Sequence, residues 1–345
     1  MLGSEIREWR AAAKRQRTPV HLILFVTDHC NAKCVTCFYW ENLNQGESLQ
    51  PGQIEKISRS LGPLLWLDLS GGEPFLRKDL AWICHKFIDD NGARFLNIPT
   101  NAIQTDVIAR IVSEILAPGR DFRLNIAVSL DGIGENHDRI RGVPGNYDKA
   151  LRTLERLREI RASDPRLALS VVTTVMRDNI DDVAKLLELG GAEWKLDYHS
   201  LNILRGAPLD PALAPPTPGQ FDAVSRLQLE QCRRYFNGRF GLFGGWLASA
   251  GRSILNRYYR RELEGRPKDI SCNAGKISCV IDANGDVYFC ELLKKVGNLK
   301  DYNWDFERLW YDAEARALRE RVRRCHCTHE CFHTKNLIFS PLTLL

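Results

Sequence analysis

Between residues 20 and 200 the chain switches six times between a short apolar run and an amphipathic stretch, and this rhythm limits the fold more than any other feature. The strand-like runs lie at 20–26, 64–69, 94–99, 124–130, 168–175 and 194–200 and are rich in Val, Ile, Leu or Trp. Helical patterns at about 51–61, 78–90, 105–116, 146–162 and 179–189 carry apolar residues at three- and four-residue intervals. Strands joined by crossover helices run parallel. The spacing therefore predicts an α/β unit, either an open doubly wound sheet or an incomplete barrel. In both, ligands gather at the carboxyl ends of the strands.

The polar residues of note fall at those ends. Cys30 follows the first strand, Gly71-Gly72-Glu73-Pro74 the second and Thr100-Asn101 the third, while Ser129 and Asp131 close the fourth. Cys30, Cys34 and Cys37 are spaced Cys-x3-Cys-x2-Cys. Three thiolates on one loop can hold three irons of a four-iron cluster and leave the fourth open. Zinc would need a fourth Cys or His at tetrahedral spacing, and His29, adjacent to Cys30, is badly placed to wrap the same ion. Three clustered cysteines cannot all pair as disulfides, and nothing at the N-terminus resembles a signal peptide. Gly71 and Gly72 let backbone approach a ligand, and Glu73 can accept from an ammonium group, although a Gly-Gly turn often only reverses the chain.

The net charge of +5 is mild and dispersed, so no nucleic-acid partner is required. No stretch reaches the roughly 18 apolar residues of a membrane span, and a cytoplasmic protein is expected. Residues 5–17 read as a short basic helix, with Ile6 and Trp9 on one side, that docks at the mouth or bottom of a barrel. From 206 to 218 a proline-dense connector interrupts the rhythm. Helices at 221–236 and 246–263, joined by a glycine-rich turn at 238–245, then form a bridge. The expected divisions are an N-terminal helix (1–19), a barrel (20–205), a connector with the helical bridge (206–268) and a small C-terminal domain (269–345).

Six of the eleven cysteines lie in that last part, whereas Cys84 and Cys232 read as packed thiols on helices. Asn284-Gly285 between short apolar runs predicts a hairpin. Folding there brings Cys272 and Cys290 towards one end of a ribbon, to which Cys325, Cys327 and Cys331 return. These thiolates can close around a cluster, and zinc bound by Cys325, Cys327, Cys331 and His333 competes with that reading.

The Cys30, Cys34, Cys37 loop, Gly71-Gly72-Glu73-Pro74 and the six βα units resemble the radical S-adenosylmethionine (radical SAM) superfamily. Val128-Ser129-Leu130-Asp131-Gly132, with His137-Asp138 and Arg141-Gly142, is similar to the fourth-strand region of members that carry a C-terminal SPASM or twitch domain. The resemblance implies a partial (β/α)6 TIM barrel and a [4Fe–4S] cluster on the three cysteines, with SAM on the open iron. It implies that Gly71, Gly72 and Glu73 hold the SAM amine, that Ser129 and Arg141 contact its ribose or carboxylate, and that Thr100 and Asn101 line the pocket. Family members usually place an aromatic residue before the third cysteine. Thr36 stands there instead, and the backbone contact to adenine falls to Phe38.

In the tail, the spacing of Cys272, Gly285 and Cys290 resembles the opening of a SPASM domain, but no cysteine follows Cys331. A twitch-like domain is expected, with one auxiliary [4Fe–4S] cluster on Cys272, Cys290, Cys327 and Cys331, and Cys325 able to replace either of the last two. Cys279 reads as a strand residue. The resemblance further implies an electron donor of the flavodoxin or ferredoxin type and a 5′-deoxyadenosyl radical that takes hydrogen from a substrate. Glu291, next to Cys290, is the candidate base. A small molecule such as an amino sugar or amino acid, or a ribosomal peptide, would undergo dehydrogenation, epimerisation or cross-linking. Sulfatase maturation is the alternative chemistry, and a zinc- or cluster-stabilised binding protein without turnover is the alternative of another class.

Overall fold

A computed structural model of the chain describes residues 2–46, 48–117, 119–266, 272–322 and 327–339. Six parallel strands stand side by side in chain order: β1 (His21–Thr27), β2 (Trp66–Gly71), β3 (Phe95–Thr100), β4 (Arg123–Ser129), β5 (Leu167–Val175) and β6 (Tyr198–Ile203). They form a partial barrel, one of the two arrangements the βα rhythm allows and the one the family resemblance implies. The helices around them are α1 (Leu2–Arg15), α2 (Pro51–Ser60), α3 (Leu80–Asn91), α4 (Thr105–Leu116), α5 (Glu135–Arg141), α6 (Asn146–Ser163) and α7 (Ile180–Ala192). Beyond them come α8 (Pro218–Leu263), the short strands β7 (Ser278–Ile281), β8 (Asp286–Tyr288) and β9 (Gly297–Asn298), and the helices α9 (Phe306–Trp310), α10 (Ala313–Val322) and α11 (Glu330–Ile338).

Parallel sheets usually read as apolar on both faces. Here the strands alternate instead. Leu67, Leu69, Leu96, Ile98, Leu124 and Ile126 are fully buried against the helices, each contributing roughly 1.5–3 kcal/mol by burial. The intervening Asp68, Asn97, Asn125 and Ser170 point into the barrel, where they form a polar ladder across its interior. Asn125 Nδ2 donates to Asn97 Oδ1 at 2.7 Å and to Ser170 Oγ at 2.9 Å. His21 Nε2 lies 2.8 Å from Asp68 Oδ2, and His21 Nδ1 lies 2.9 Å from Ser278 Oγ. Burial pushes the His21 imidazole down to about 4, so it is neutral at physiological pH and joins Asp68 through a hydrogen bond.

The amino ends of the strands are plugged by α1. Trp9 packs edge-on against Trp66 and Phe95, with ring centroids 5.3 and 5.5 Å away. The docking helix therefore sits at the bottom of the barrel. At the other end of the chain, β7 pairs in parallel with β1, His21 opposite Ser278, and β8 and β9 continue the sheet in antiparallel fashion. The hairpin predicted at Asn284-Gly285 thus extends the barrel sheet to nine strands. Cys279 lies in β7, while Cys84 and Cys232 are buried in α3 and α8.

Beyond shifts of up to three residues, two boundaries differ from expectation. The sixth strand begins at Tyr198, four residues later than the apolar run at 194 suggested, because Lys195 adopts φ 49° and breaks any extended path through Trp194 and Leu196. The glycine-rich turn at 238–245 is much narrower than predicted. The segment α8 is two helices that meet at Gly241, whose φ 71° and ψ 175° break the helical path, so the expected pair of helices is present with the turn between them reduced to that residue.

Candidate active site

The cysteine loop is anchored on three sides. Asp28, fully buried at the end of β1, accepts through Oδ2 from Gln45 N and Gly46 N at 2.9 and 2.6 Å. Asn44 exchanges hydrogen bonds with the backbone of Cys30. From the far side, Lys33 N and Val35 N donate to the carbonyls of Arg141 and Ile140 at the end of α5. Gly142 follows, and a Cβ there would meet Lys33 O at 2.4 Å, which accounts for a glycine at that contact. From above, the connector after β6 lies along the loop. Leu209 N donates to Cys37 O, Asp210 N to Val35 O, and Trp40 Nε1 to Ala207 O.

The turn after β2 is built against this loop. Gly72 N donates to Thr27 O and Glu73 N to His29 O, both at 2.8 Å. Gly71 adopts φ 113°. The Glu73 carboxylate is buried and accepts from Thr100 Oγ1 (2.9 Å), Asn101 N (2.7 Å) and Phe75 N (3.2 Å). Burial still outweighs these donors and holds Glu73 up to about 7. Thr100 and Asn101 thus position Glu73 as well as lining the pocket. Ser129 is buried at the end of β4. Arg141 Nη1 donates to Asp131 Oδ2 at 3.1 Å, and Asp131 Oδ1 accepts from Thr174 N at 2.7 Å. Arg141 Nε is buried without a partner beside the cysteine loop.

One cavity of about 680 Å³ joins these groups to the C-terminal segment. Cys30, Cys34, Cys37 and Phe38 form part of its wall, and Cys331 and Glu291 form another part. A second cleft of about 700 Å³, beside Thr27, Gln50 and Arg77, contains none of the cysteines. Burial raises all three loop thiols, Cys37 to about 11, so binding an iron–sulfur cluster there releases protons.

In the C-terminal segment, Cys272 and Cys290 are buried, and Cys272 and Cys327 lie within electrostatic reach of Cys290. Cys327 Sγ is 3.3 Å from His333 Nε2. Cys331, in the first turn of α11, is pushed up to about 12 by burial and then by Asp68. Cys325 lies outside the described residues. Among those described, no three His, Cys, Asp or Glu side chains converge on a single-ion site. A four-iron cube holds its thiolates further apart than one zinc ion does.

Glu291 Oε1 accepts from Arg205 Nη2 at 2.7 Å and stands 2.9 Å from His329 Nε2, a contact misaligned for a hydrogen bond. Burial pushes this carboxyl up, but His329 and Arg205 together bring it down to about 2. Arg205 also lies over the Phe38 ring, 5.3 Å from its centroid, and so joins the two ends of the cavity. Arg205, His329 and Lys335 did not stand out in the sequence, whereas Asp131 did, as the polar end of the fourth strand. The available signal was the inward polar alternation of the strands, which marks a barrel interior built to hold a polar ligand.

Residues 24–190 match the model of the radical SAM superfamily, and residues 272–332 match that of the SPASM iron–sulfur cluster-binding domain. The chain belongs to the radical SAM superfamily. As a radical SAM enzyme with a SPASM domain, it uses a [4Fe–4S] cluster with SAM and an auxiliary iron–sulfur cluster. It is 26% identical over 329 residues to mycofactocin maturase MftC of Mycolicibacterium smegmatis, covering 91% of this chain and 76% of that one. It is also 26% identical to the AdoMet-dependent heme synthase of Methanosarcina barkeri, covering 86% and 83%. The fold is like that of Streptococcus suis SuiB (TM-score 0.60, 16% identity, 92% and 71% covered) and of anSMEcpe with bound AdoMet (TM-score 0.59, 16% identity, 94% and 98% covered). No described helix is long and apolar enough to cross a membrane.

The groups present fit those cofactors. Three thiols share one loop, an unpartnered guanidinium nitrogen lies beside them, and Gly71, Gly72 and Glu73 line the same cavity wall.

Proposed function

We propose that this enzyme oxidises a small molecule or one residue of a peptide held in the cavity between the loop cysteines and the C-terminal cysteines. What carries this reading is that the single cavity touches both Cys30, Cys34 and Cys37 and, on another wall, Cys331 and Glu291. When bound, the cluster with SAM supplies a 5′-deoxyadenosyl radical that removes hydrogen, and the auxiliary cluster supplies an electron acceptor.

The protein's part is positioning. Cys30, Cys34 and Cys37 would hold the first cluster, and Cys272, Cys290, Cys327 and Cys331 the second. Gly71, Gly72 and Glu73 would take the SAM amine, Ser129 and Arg141 its ribose or carboxylate, and the Phe38 backbone its adenine. Glu291 is assigned the proton lost on oxidation. Its Oε1 is occupied by Arg205, which leaves Oε2, and its low pKa suits it to a strongly acidic substrate radical. Relatives support both substrate classes: the similar MftC is a maturase, SuiB has been solved with its precursor peptide SuiA, and another similar protein is a heme synthase.

Anaerobic reconstitution tests the reading. We expect about eight irons and eight sulfides per chain, and reductant-dependent formation of 5′-deoxyadenosine that Cys34→Ala abolishes. Glu291→Gln should still cleave SAM yet yield no oxidised product; zinc without sulfide, or undiminished product from Glu291→Gln, would overturn the respective assignment.

A further inference from the structure

Two cations in the cavity wall have donors that the protein leaves unused. Arg205, just after β6, gives Nη2 to Glu291. Its Nε is buried without a partner, and no described residue accepts from Nη1. Lys335, on α11, has Asp68 Oδ2 at 3.6 Å as its one ion-pair partner among the described residues, and that oxygen already contacts His21 Nε2 at 2.8 Å. Arg252, in the same wall, is the opposite case, since two of its nitrogens donate to the two oxygens of Glu330. Buried donors are normally matched by acceptors, so Arg205 Nε asks for one from outside the chain, and the half-buried Lys335 ammonium in the same cavity wall has donors to share with it. Both lie within electrostatic reach of Cys331 and His329, which places their donors at one end of the cavity. The cavity also carries an aromatic surface, Tyr198 stacked on Phe236 with centroids 6.4 Å apart.

We infer that Arg205 and Lys335 bind a carboxylate of the substrate at the Cys331 end of the cavity, with Tyr198 and Phe236 contacting the apolar group that carries it. The inference rests on the reading of this cavity as the substrate site, and it deepens that reading by naming an anionic, carboxylate-bearing substrate. A guanidinium and an ammonium converging on one anion give charge-assisted bonds that a neutral isostere cannot replace. The donors leave the SAM amine to Glu73 and its ribose or carboxylate to Arg141.

The test uses cluster-loaded full-length protein under anaerobic conditions and a matched pair of probes, 3-phenylpropionate and 3-phenylpropionamide, titrated by calorimetry or ligand-observed NMR. Wild type should prefer the carboxylate about tenfold or more. Lys335→Gln and Arg205→Gln should each bring the ratio to about twofold or below, with amide affinity unchanged. Arg205→Gln also frees Glu291, so Lys335→Gln, which breaks no hydrogen bond, supplies the cleaner comparison in an intact fold. Equal affinity for the two probes in wild type would overturn the inference. So would a preference retained in both variants; an altered EPR signal of the auxiliary cluster in Arg205→Gln would then assign the donors to that cluster. SAM cleavage, measured on the same preparations, reports on the radical chemistry separately: a carboxylate preference without SAM cleavage sinks the proposed function and leaves the anion site standing.

Discussion

Gly72 has no room for a side chain, because a Cβ there would lie 2.1 Å from His29 O and 2.5 Å from His29 C. Both are backbone atoms of the segment leading into the cysteine loop, so Gly72→Ala must push that loop away from β2. We expect iron in the reconstituted variant to fall from about eight to about four per chain, with the C-terminal cluster retained, as read by iron analysis and EPR. Glu73 makes a different prediction. Its carboxyl titrates near 7 in the folded protein, above the ordinary carboxylate value, so the native state binds the proton more tightly than the unfolded chain. The stability this group contributes is complete below the unfolded pKa and is lost as pH rises through about 7. Denaturant titrations of the apo-protein across that interval should show the decline in wild type and a flatter profile in Glu73→Gln. Gly71, Gly72 and Glu73 were legible in the sequence because their motif is local. Arg205 and Lys335 were not, since an arginine before a loop glycine or a lysine on a late helix looks like any solvated cation until the fold sets it, half-buried, in a cavity wall.

At the level of elements, the proline-dense connector proves to be a strap over the cysteine loop. Its prolines exclude regular structure, and that irregularity leaves Leu209 N and Asp210 N free to pair with the carbonyls of Cys37 and Val35. Leu209→Pro removes the first of these donors. We expect the visible absorbance of the loop cluster to bleach several-fold faster in air than in wild type; equal rates would show that the strap does not shield it. The connector gives way to α8 where Thr217 and Gln220 exchange capping bonds around Pro218, a local start signal. The start of β6 carried no such signal. Trp194 and Leu196 are apolar because they pack against the core, and only the left-handed backbone at Lys195 shows that the chain is turning there.

For the molecule as a whole, the pairing of β7 with β1 is the decisive contact. It places the hairpin that precedes Cys290 on the barrel sheet itself, next to the strand that leads into Cys30. A chain built this way should lose both parts together. Denaturant unfolding of the loaded enzyme, followed by tryptophan fluorescence and by hydrogen exchange of β1 and β7, should give coincident transitions, whereas two separate midpoints would show that the shared sheet does not couple them. The sequence by itself determined the βα rhythm, the cysteine spacings, the glycine turn and the hairpin, because each depends on residues within a few positions of one another. Tertiary structure alone decided that the hairpin joins the barrel sheet, that one cavity spans both cysteine sets, and that Arg205 and Lys335 face into it. Those facts depend on burial and pairing between segments more than a hundred residues apart, for which no local pattern exists.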